Sequence, residues 1–382
     1  MSSGADAAQV YPPDHHVDAG RLVIEQVTSR AAAGDWQQVE QECFEVDYYE
    51  MPADPVEEVY ERVESRRSDD RYELWIGSVE TGHDPAGARG AALGTPVVIG
   101  ELRLPMLDNL DNAVVSLCTR PAFRQRGYGT AMLRHLTARA RAHGRTRLIG
   151  EIAEPMPLDT AADSPLTPPA LTAPPGVVFA TTIGARPVTS EVRRLLRLSE
   201  LDDARLEQLK QDAMAHSADY SLIQWDGLAP AKILDDLVTL HSRMTIDAPL
   251  EDLDWEPELW TPERYRERER RVVDSGQVCL STAARHDPSG QIVALTDIGF
   301  VAVDPYVAYQ WATIVLPSHR GHRLGMRVKL ANLEFLRSSR PRIRMLNTWN
   351  AGINDHMVGI NEAIGFRPVE RWREWQLELS SD

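Results

Sequence analysis

Two stretches carry the residue types that hold an anion. Arg124 to Gly129 reads RQRGYG, and Arg320 to Gly325 reads RGHRLG. Each falls between a predicted strand and a predicted helix. The first amides of a helix lack internal partners and the helix dipole puts partial positive charge there. Glycines let the backbone curl so that amides point inward. Arg124, Arg126, Arg320 and Arg323 add fixed charge, and His319 and His322 flank the second loop. No Lys-Ser/Thr follows either loop and GxGxxG is absent, so these are not Walker or dinucleotide loops; a plain tight turn is the competing reading. A second chemistry is proton abstraction. An alkyl ammonium, with a pKa of about 10, must lose a proton before it can attack a carbonyl. Glu101 and Asp297 are placed to take it, directly or through a water; an exposed strand carboxylate is the alternative for each. Asp247, Glu251, Asp252 and Asp254 read either as the entrance for a cationic substrate or as a solvated loop. His241 and His356 are possible acid/base groups, more often simply packed or exposed. Cys118 reads as core, because no His-bearing motif accompanies it.

These residues recur in register because the chain repeats itself. IGARPVTSEVRRLLRL from Ile183 aligns without a gap on IGFRPVERWREWQLEL from Ile364. Ser116–Thr130 matches Ala312–Met326, and Glu101 stands as far before Arg124 as Asp297 stands before Arg320. The halves differ between loop and repeat end, where the first half carries a Pro-rich stretch near 154–176 in place of the second half's Asn-bearing helix. Such proline density removes backbone donors and forbids a helix. Period-2 and period-4 apolar spacing predicts strands at 21–28, 73–80, 96–103, 113–119 and 147–152, with helices at 35–49 and 130–143. The second half repeats that order, and its helix over 353–364 is predicted to carry Asn350, Asn354 and Asn361 along one side, with Asn350 as cap. The expected organisation is α/β: a flexible tail over 1–20, a first domain over 21–200, a linker helix over 201–216 and a second domain over 217–382, each with a mixed central sheet flanked by helices.

The 382 residues carry 41 Lys+Arg against 57 Asp+Glu, a net charge of −16. That balance argues against a nucleic-acid partner, which needs excess cationic side chains, and against an anionic membrane. The three cysteines are far apart and form no CxxC pair, which argues against a zinc site or a disulfide scaffold and fits a reducing cytoplasm. No signal peptide or apolar run long enough to span a bilayer is visible. His15 and His16 lie in the predicted tail.

R-x-x-G-x-G after a strand, followed by an amphipathic helix, resembles the acetyl-CoA pyrophosphate loop of the GCN5-related N-acetyltransferase (GNAT) superfamily. Asn350, Asn354, Asn361 and the Gly365-Phe366 ending resemble a second segment of that family. The likeness covers both halves, as in tandem members such as mycothiol synthase and acyltransferases of actinobacterial natural-product pathways. It implies an acetyl-CoA or acyl-CoA cosubstrate and no metal, with direct acyl transfer to an amine of a small metabolite by a cytoplasmic monomer or homodimer. It implies a V-shaped splay between the fourth and fifth strands of each half, where the pantetheine arm would pair with Leu117 and Thr119, or with Thr313 and Val315. The pyrophosphate would lie on Arg124, Arg126, Gly127 and Gly129, or on Arg320, Gly321, His322, Arg323 and Gly325, and Asn350 and Asn354 would bond the cosubstrate. The catalytic set would be drawn from Asp297, Glu101 and Asn361. Two departures matter. Arg323 replaces the first motif glycine; it either costs about 1 kcal/mol if φ is positive or grips a phosphate. The family's acidic Tyr falls on Asn361 and Ala180, neither of which can be that acid; a thiol of pKa about 8.5 can leave unaided. The second half is expected to perform the chemistry. The alternatives are a non-catalytic acyl-CoA binder and acyl transfer from tRNA or a carrier protein.

Overall fold

The computed structural model describes residues 9–11, 22–64, 67–79, 94–156, 173–247, 252–303 and 306–379. Apart from Gln9–Tyr11, the expected tail, with His15 and His16, lies outside them, as does most of the Pro-rich stretch. The chain forms two compact units: Met1–Ala153 with Thr172–Val188 and Glu374–Asp382, and Glu154–Leu171 with Thr189–Arg373.

Unit 1 contains strands β1 (Gln9–Tyr11), β2 (Leu22–Gln26), β3 (Asp70–Val79), β4 (Thr95–Pro105), β5 (Asn112–Thr119) and β6 (Arg147–Pro155), with helices α1 (Arg30–Asp47), α2 (Val56–Glu64), α3 (Tyr128–Ala142) and α4 (Pro175–Thr182). Strands β1 to β5 are antiparallel in sequence order. Helix α3 presents Met132, Leu136 and Ala140 to Val97, Leu102 and Leu104 of the sheet, as its spacing of four requires. On a second cluster, Trp36, Val39 and Cys43 of α1 meet Leu74 and Ile99. Helix α4 corrects one expectation. Pro175 stands at its first turn, where a missing N–H and a fixed φ are tolerated, so proline starts the helix rather than forbidding it.

Unit 2 takes most of β7 (Arg186–Arg197), then α5 (Asp203–Ala215), β8 (Tyr220–Asp226), α6 (Leu234–Asp247), α7 (Pro262–Asp274), β9 (Gln277–His286), β10 (Ile292–Val301), β11 (Val307–Val315), α8 (Leu324–Ser339), β12 (Met345–Ala351), α9 (Asp355–Ile364) and the start of β13 (Arg367–Glu378). Strands β8 to β11 are antiparallel and β12 joins β11 in parallel. The expected linker helix is α5, and it is part of this core: Ala213 and Leu209 pack in one cluster with Leu330 and Leu333 of α8.

The last strand of each half completes the unit built mainly from the other. β12 pairs along its length with β7, from Met345 opposite Arg197 to Ala351 opposite Glu191. In unit 1, β6 is followed in the sheet by β13, and Leu379 N–H donates to the Thr146 carbonyl. A buried ion pair ties β7 within unit 2: Arg193 Nε donates to Glu370 at 2.8 Å and its Nη1 to Asn347 at 2.7 Å.

Candidate active site

Each unit holds the same three features at the same places. The first is a splay. In unit 1, β5 pairs with β6 only over Asn112–Val114, opposite Arg147–Ile149. In unit 2, β11 pairs with β12 only over Val307–Tyr309, opposite Met345–Asn347. Beyond those residues the fourth strand keeps only its antiparallel neighbour. Arg120 N–H donates to Val97 and Leu316 N–H to Val293. Strand alternation therefore turns the amides of Leu117 and Thr119, and of Thr313 and Val315, toward the open side.

The second is the loop. Arg124 Nε donates to the Thr119 carbonyl at 3.0 Å, and Arg320 Nε to the Val315 carbonyl at 3.3 Å. Two residues in each loop have positive φ: Gln125 (61°) and Gly127 (79°) in unit 1, Gly321 (87°) and Arg323 (53°) in unit 2. Position 323 thus does require the left-handed backbone, at a cost of about 1 kcal/mol. Its guanidinium is paired with Asp212 of α5. Arg124 forks onto Asp47, Nη1 to Oδ1 at 2.9 Å. Arg126 lies over the Phe123 ring. Ser29, Asp202, Thr261 and Asn354 cap α1, α5, α7 and α9 with side-chain oxygens. Helices α3 and α8 begin at Gly127 and Arg323 with no side-chain cap. Their first amides are left for an anion, so the residues present fit a nucleotide pyrophosphate. Gly129 and Gly325 sit one residue inside these helices. A Cβ at Gly129 would stand 3.4 Å from the Thr119 hydroxyl, and one at Gly325 3.2 Å from Ile360.

Beside the unit 2 loop stands a cluster with no counterpart among the described residues of unit 1. Tyr220 Oη bonds His319 Nδ1 at 3.0 Å, and the rings of His286 and His322 lie 5.2 and 5.5 Å from the Tyr220 ring. Burial, then the charges of His286 and His322, hold His319 below the ordinary histidine range.

The third feature is the strand carboxylate, and here the units diverge. Glu101 on β4 is ion-paired with Arg62, 3.3 Å away, which also bonds Asp54. Asp297 on β10 lies at a bulge, where pairing with β11 shifts between Thr296 and Ile298. Gln310 Nε2 fills the bulge, donating to the Asp297 carbonyl at 2.6 Å and to Thr296 Oγ1 at 2.9 Å. Asp297 is 1% exposed; Oδ1 accepts from Ser281 Oγ at 2.7 Å and Oδ2 has no hydrogen-bond partner among the described residues. Burial pushes its carboxyl up, against Arg268 and the Ser281 bond, which pull it down. It opens onto a pocket lined by α7 and β9: Tyr265, Arg268, Glu269, Val272, Val273, Cys279 and Ser281. Burial raises the Tyr265 and Cys279 protons well above their usual ranges, so both stay neutral.

Sequence reasoning missed this wall. α7 reads PERYRERERRVVD, with no apolar periodicity, and its only signal was the Thr261 cap followed by Pro262 at the first position. His241 of α6 is buried against Trp260 and Tyr265, at 5.0 and 4.9 Å between ring centres, and burial lowers its pKa to about 3. His356 is exposed on α9. Of the acidic cluster, Glu251 and the Asp247 side chain lie outside the described residues; Asp252 and Asp254 are exposed.

The asparagines are arranged differently from the expectation. Asn350 is on strand β12, not on the helix, and the cap of α9 is Asn354, whose Oδ1 accepts from Met357 N–H at 3.2 Å. Asn361 is fully buried and its Nδ2 donates to Asn350 Oδ1. In unit 1, Cys118 packs against the cluster holding Cys43. The Cys118 hydrogen bond, then Arg124, hold the Cys43 thiol below its ordinary value despite burial. No described helix is long and apolar enough to cross a membrane.

No curated protein matches the chain by sequence. Residues 35–157 match the Acetyltransferase (GNAT) family model. Among solved structures, a tandem GNAT protein from the clavulanic acid biosynthesis pathway is similar over 94% of this chain and 99% of its own, at 24% identity and a TM-score of 0.73. A GCN5-related N-acetyltransferase from Sphaerobacter thermophilus is similar over 94% of this chain and 96% of its own, at 13% identity and a TM-score of 0.59. Residues 35–157 thus match the GNAT acetyltransferase family model, and the chain as a whole has the fold of the tandem GNAT protein.

Proposed function

We propose that this protein is an acyl-CoA-dependent N-acyltransferase, with acetyl-CoA as the expected donor, and that unit 2 transfers the acyl group to an amine of a small metabolite. The observation that carries this reading is the alignment of three parts along one strand. The uncapped α8 terminus would hold the pyrophosphate, the open amides of Thr313 and Val315 would hold the pantetheine, and Asp297 lies at the bulge of β10 against that strand. Thr296, the neighbour of Asp297, pairs directly with Thr313, and their hydroxyls meet at 2.8 Å.

In this reading the substrate ammonium gives a proton to Asp297 Oδ2, directly or through a water. The free amine attacks the thioester carbonyl carbon, the C–N bond forms and the C–S bond breaks. A backbone N–H of β11 stabilises the carbonyl oxygen as charge develops on it. The nitrogen sheds its second proton as the amide forms, the coenzyme A thiolate takes one up, both through solvent, and the products are an amide and coenzyme A. Asn361, placed among the catalytic candidates, is assigned a structural role instead, because it is buried and bonded to Asn350. Glu101 is assigned to the ion-pair cluster around Arg62. In unit 1, α3 with Leu117 and Thr119 would bind coenzyme A without completing the chemistry. Turnover of Gly127→Glu and Gly325→Glu variants tests the assignment. Loss confined to Gly325→Glu is expected; loss confined to Gly127→Glu reverses it. The absence of an acid at position 361 favours a second reading, a non-catalytic acyl-CoA binder. Free-thiol release from acetyl-CoA over an amine panel separates the two.

A further inference from the structure

We propose that Lys329 of α8 meets the sulfur of coenzyme A in unit 2 and hands the departing thiolate its proton. The inference rests on reading unit 2 as the acyltransfer site and names a further catalytic residue there.

Lys329 is 3% exposed, and among the described residues its amine has no ion pair and no hydrogen bond. Its Nζ lies over the Phe366 ring, 5.7 Å from the ring centre. The charges on the surrounding elements are engaged elsewhere: Glu334 of α8 pairs with Lys210, Asp212 of α5 with Arg323, and Glu362 of α9 faces Arg194 at 3.9 Å. Burying an amine without an anion costs stability, so a fold that keeps one invites a functional account. Burial alone lowers the Lys329 pKa, to about 7.

The place of Lys329 in the fold gives its proton a destination. A helical side chain leans toward the preceding turn, which for Lys329 is the turn of Gly325. Gly325 fills no space there, and a Cβ on it would stand 3.2 Å from Ile360 of α9 and 3.9 Å from Val315 of β11. The inner face of α8 therefore borders the splay. Helix α8 runs back along β11: Leu324 and Val328 cluster with Ile314 and Leu316 at the end of that strand, whereas Leu330 and Leu333 cluster with Ala308 near its start. Four residues of helix advance about 6 Å, and two residues of strand about 7 Å. Lys329 is thus level with Thr313, one turn inward of the pyrophosphate loop, where the pantetheine arm would deliver its thioester. On α9, the position that the family likeness gives to the acid is Asn361, whose Oδ1 is buried without a partner among the described residues. Phe366, the ring beneath the amine, donates its N–H to the Asn361 carbonyl at 3.0 Å. The amine therefore lies on the side of α8 that faces the vacant acid position.

As the C–S bond breaks, its electron pair goes to sulfur. The Lys329 ammonium passes one proton to the thiolate, leaving a thiol and a neutral amine. Solvent, which receives the proton shed by the new amide, returns one to the lysine. A thiolate whose thiol has a pKa of about 8.5 takes a proton readily from so weakly held a donor.

The test uses the full chain carrying Gly127→Glu, which confines coenzyme A to unit 2. Bromoacetyl-CoA, with an electrophilic carbon near the sulfur, should alkylate Lys329, located by mass spectrometry, and acetyl-CoA should block the labelling. This readout needs no turnover. Lys329→Met fills similar space without the charge, so its thermal stability should equal or exceed the parent's. Its kcat and kcat/KM should fall together, by about a hundredfold, with the acetyl-CoA KM little changed. The basic limb of the pH–rate profile, where the acid loses its proton, should disappear. Labelling that spares Lys329, or a Met variant that retains kcat within about threefold of the parent, overturns the proposal. Stable acetylation of Lys329 by acetyl-CoA would make it a nucleophile and also refute the acid role. Labelling of Lys329 without transfer to any amine would instead sink the enzymatic reading and leave the lysine at the sulfur.

Discussion

Replacing Asp297 by Asn should make the protein more stable and less active. The carboxylate is buried and, among the described residues, has one donor, Ser281, and no partner for Oδ2. Burial raises its folded pKa above the unfolded value, so the folded state holds the proton more tightly. The sign follows from linkage: the folded state is favoured at low pH, and that advantage disappears as pH rises through the folded pKa. At pH 8 the ionised carboxylate is therefore a burden on the fold. Asn keeps an oxygen for Ser281 and removes the charge. Relieving an unpaired buried charge is worth on the order of 1 kcal/mol or more, or about 2–4 °C in Tm for a unit of this size. A positioned base contributes about 10²–10⁴ in rate, so kcat should fall by that factor, and the acidic limb of the pH–rate profile should flatten. Thermal melts at pH 4.5 and pH 8 beside thiol-release kinetics give both readings. A lower Tm at pH 8 with kcat/KM within about threefold of the parent would show that Asp297 serves the fold, and would refute the base assignment.

Other perturbations test other parts of the site. A Cβ at Gly299 would lie 1.9 Å from Cζ2 of Trp311, so Gly299→Ala must expel that ring; a loss of about 1–3 kcal/mol in urea unfolding and altered tryptophan emission are expected. Burial, then the charges of His286 and His322, lower the His319 pKa. A phosphate beside it would raise that pKa, so acetyl-CoA should bind more tightly from pH 8 to pH 6 with proton uptake, read by calorimetry in two buffers, and His319→Gln should reduce both. Arg193→Met leaves Glu370 buried without its cation and should cost about 3–5 kcal/mol, whereas Arg193→Met with Glu370→Leu should recover most of it; chemical denaturation measures both.

The parts of the site that follow local rules were legible in the sequence. Two Arg-Gly loops marked where α3 and α8 begin without a side-chain cap, and the family likeness named Leu117, Thr119, Thr313 and Val315, which lie where the fourth strand of each unit loses its parallel neighbour. The equal offset of Glu101 and Asp297 put them on corresponding strands. It did not reveal that Arg62 of α2, whose Val56, Val59 and Val63 pack on the core, would claim one of them. Arg268 was hidden because α7 buries Tyr265 and Glu269 but offers no apolar stripe. The destination of the terminal strands was also hidden. The segments from Ile183 and Ile364 are alike in pattern, so either could serve either sheet, and only packing decides.

That decision constrains how the chain is made. When the ribosome has finished residue 200, β6 is an open edge whose final neighbour, Glu374–Leu379, has not been synthesised. A gene cut between the halves would yield two fragments, each lacking its closing piece. Such fragments should precipitate apart and regain solubility on co-expression, whereas ordinary two-domain proteins tolerate the cut. Neither copy of the repeat can thus be shed without unseaming the other.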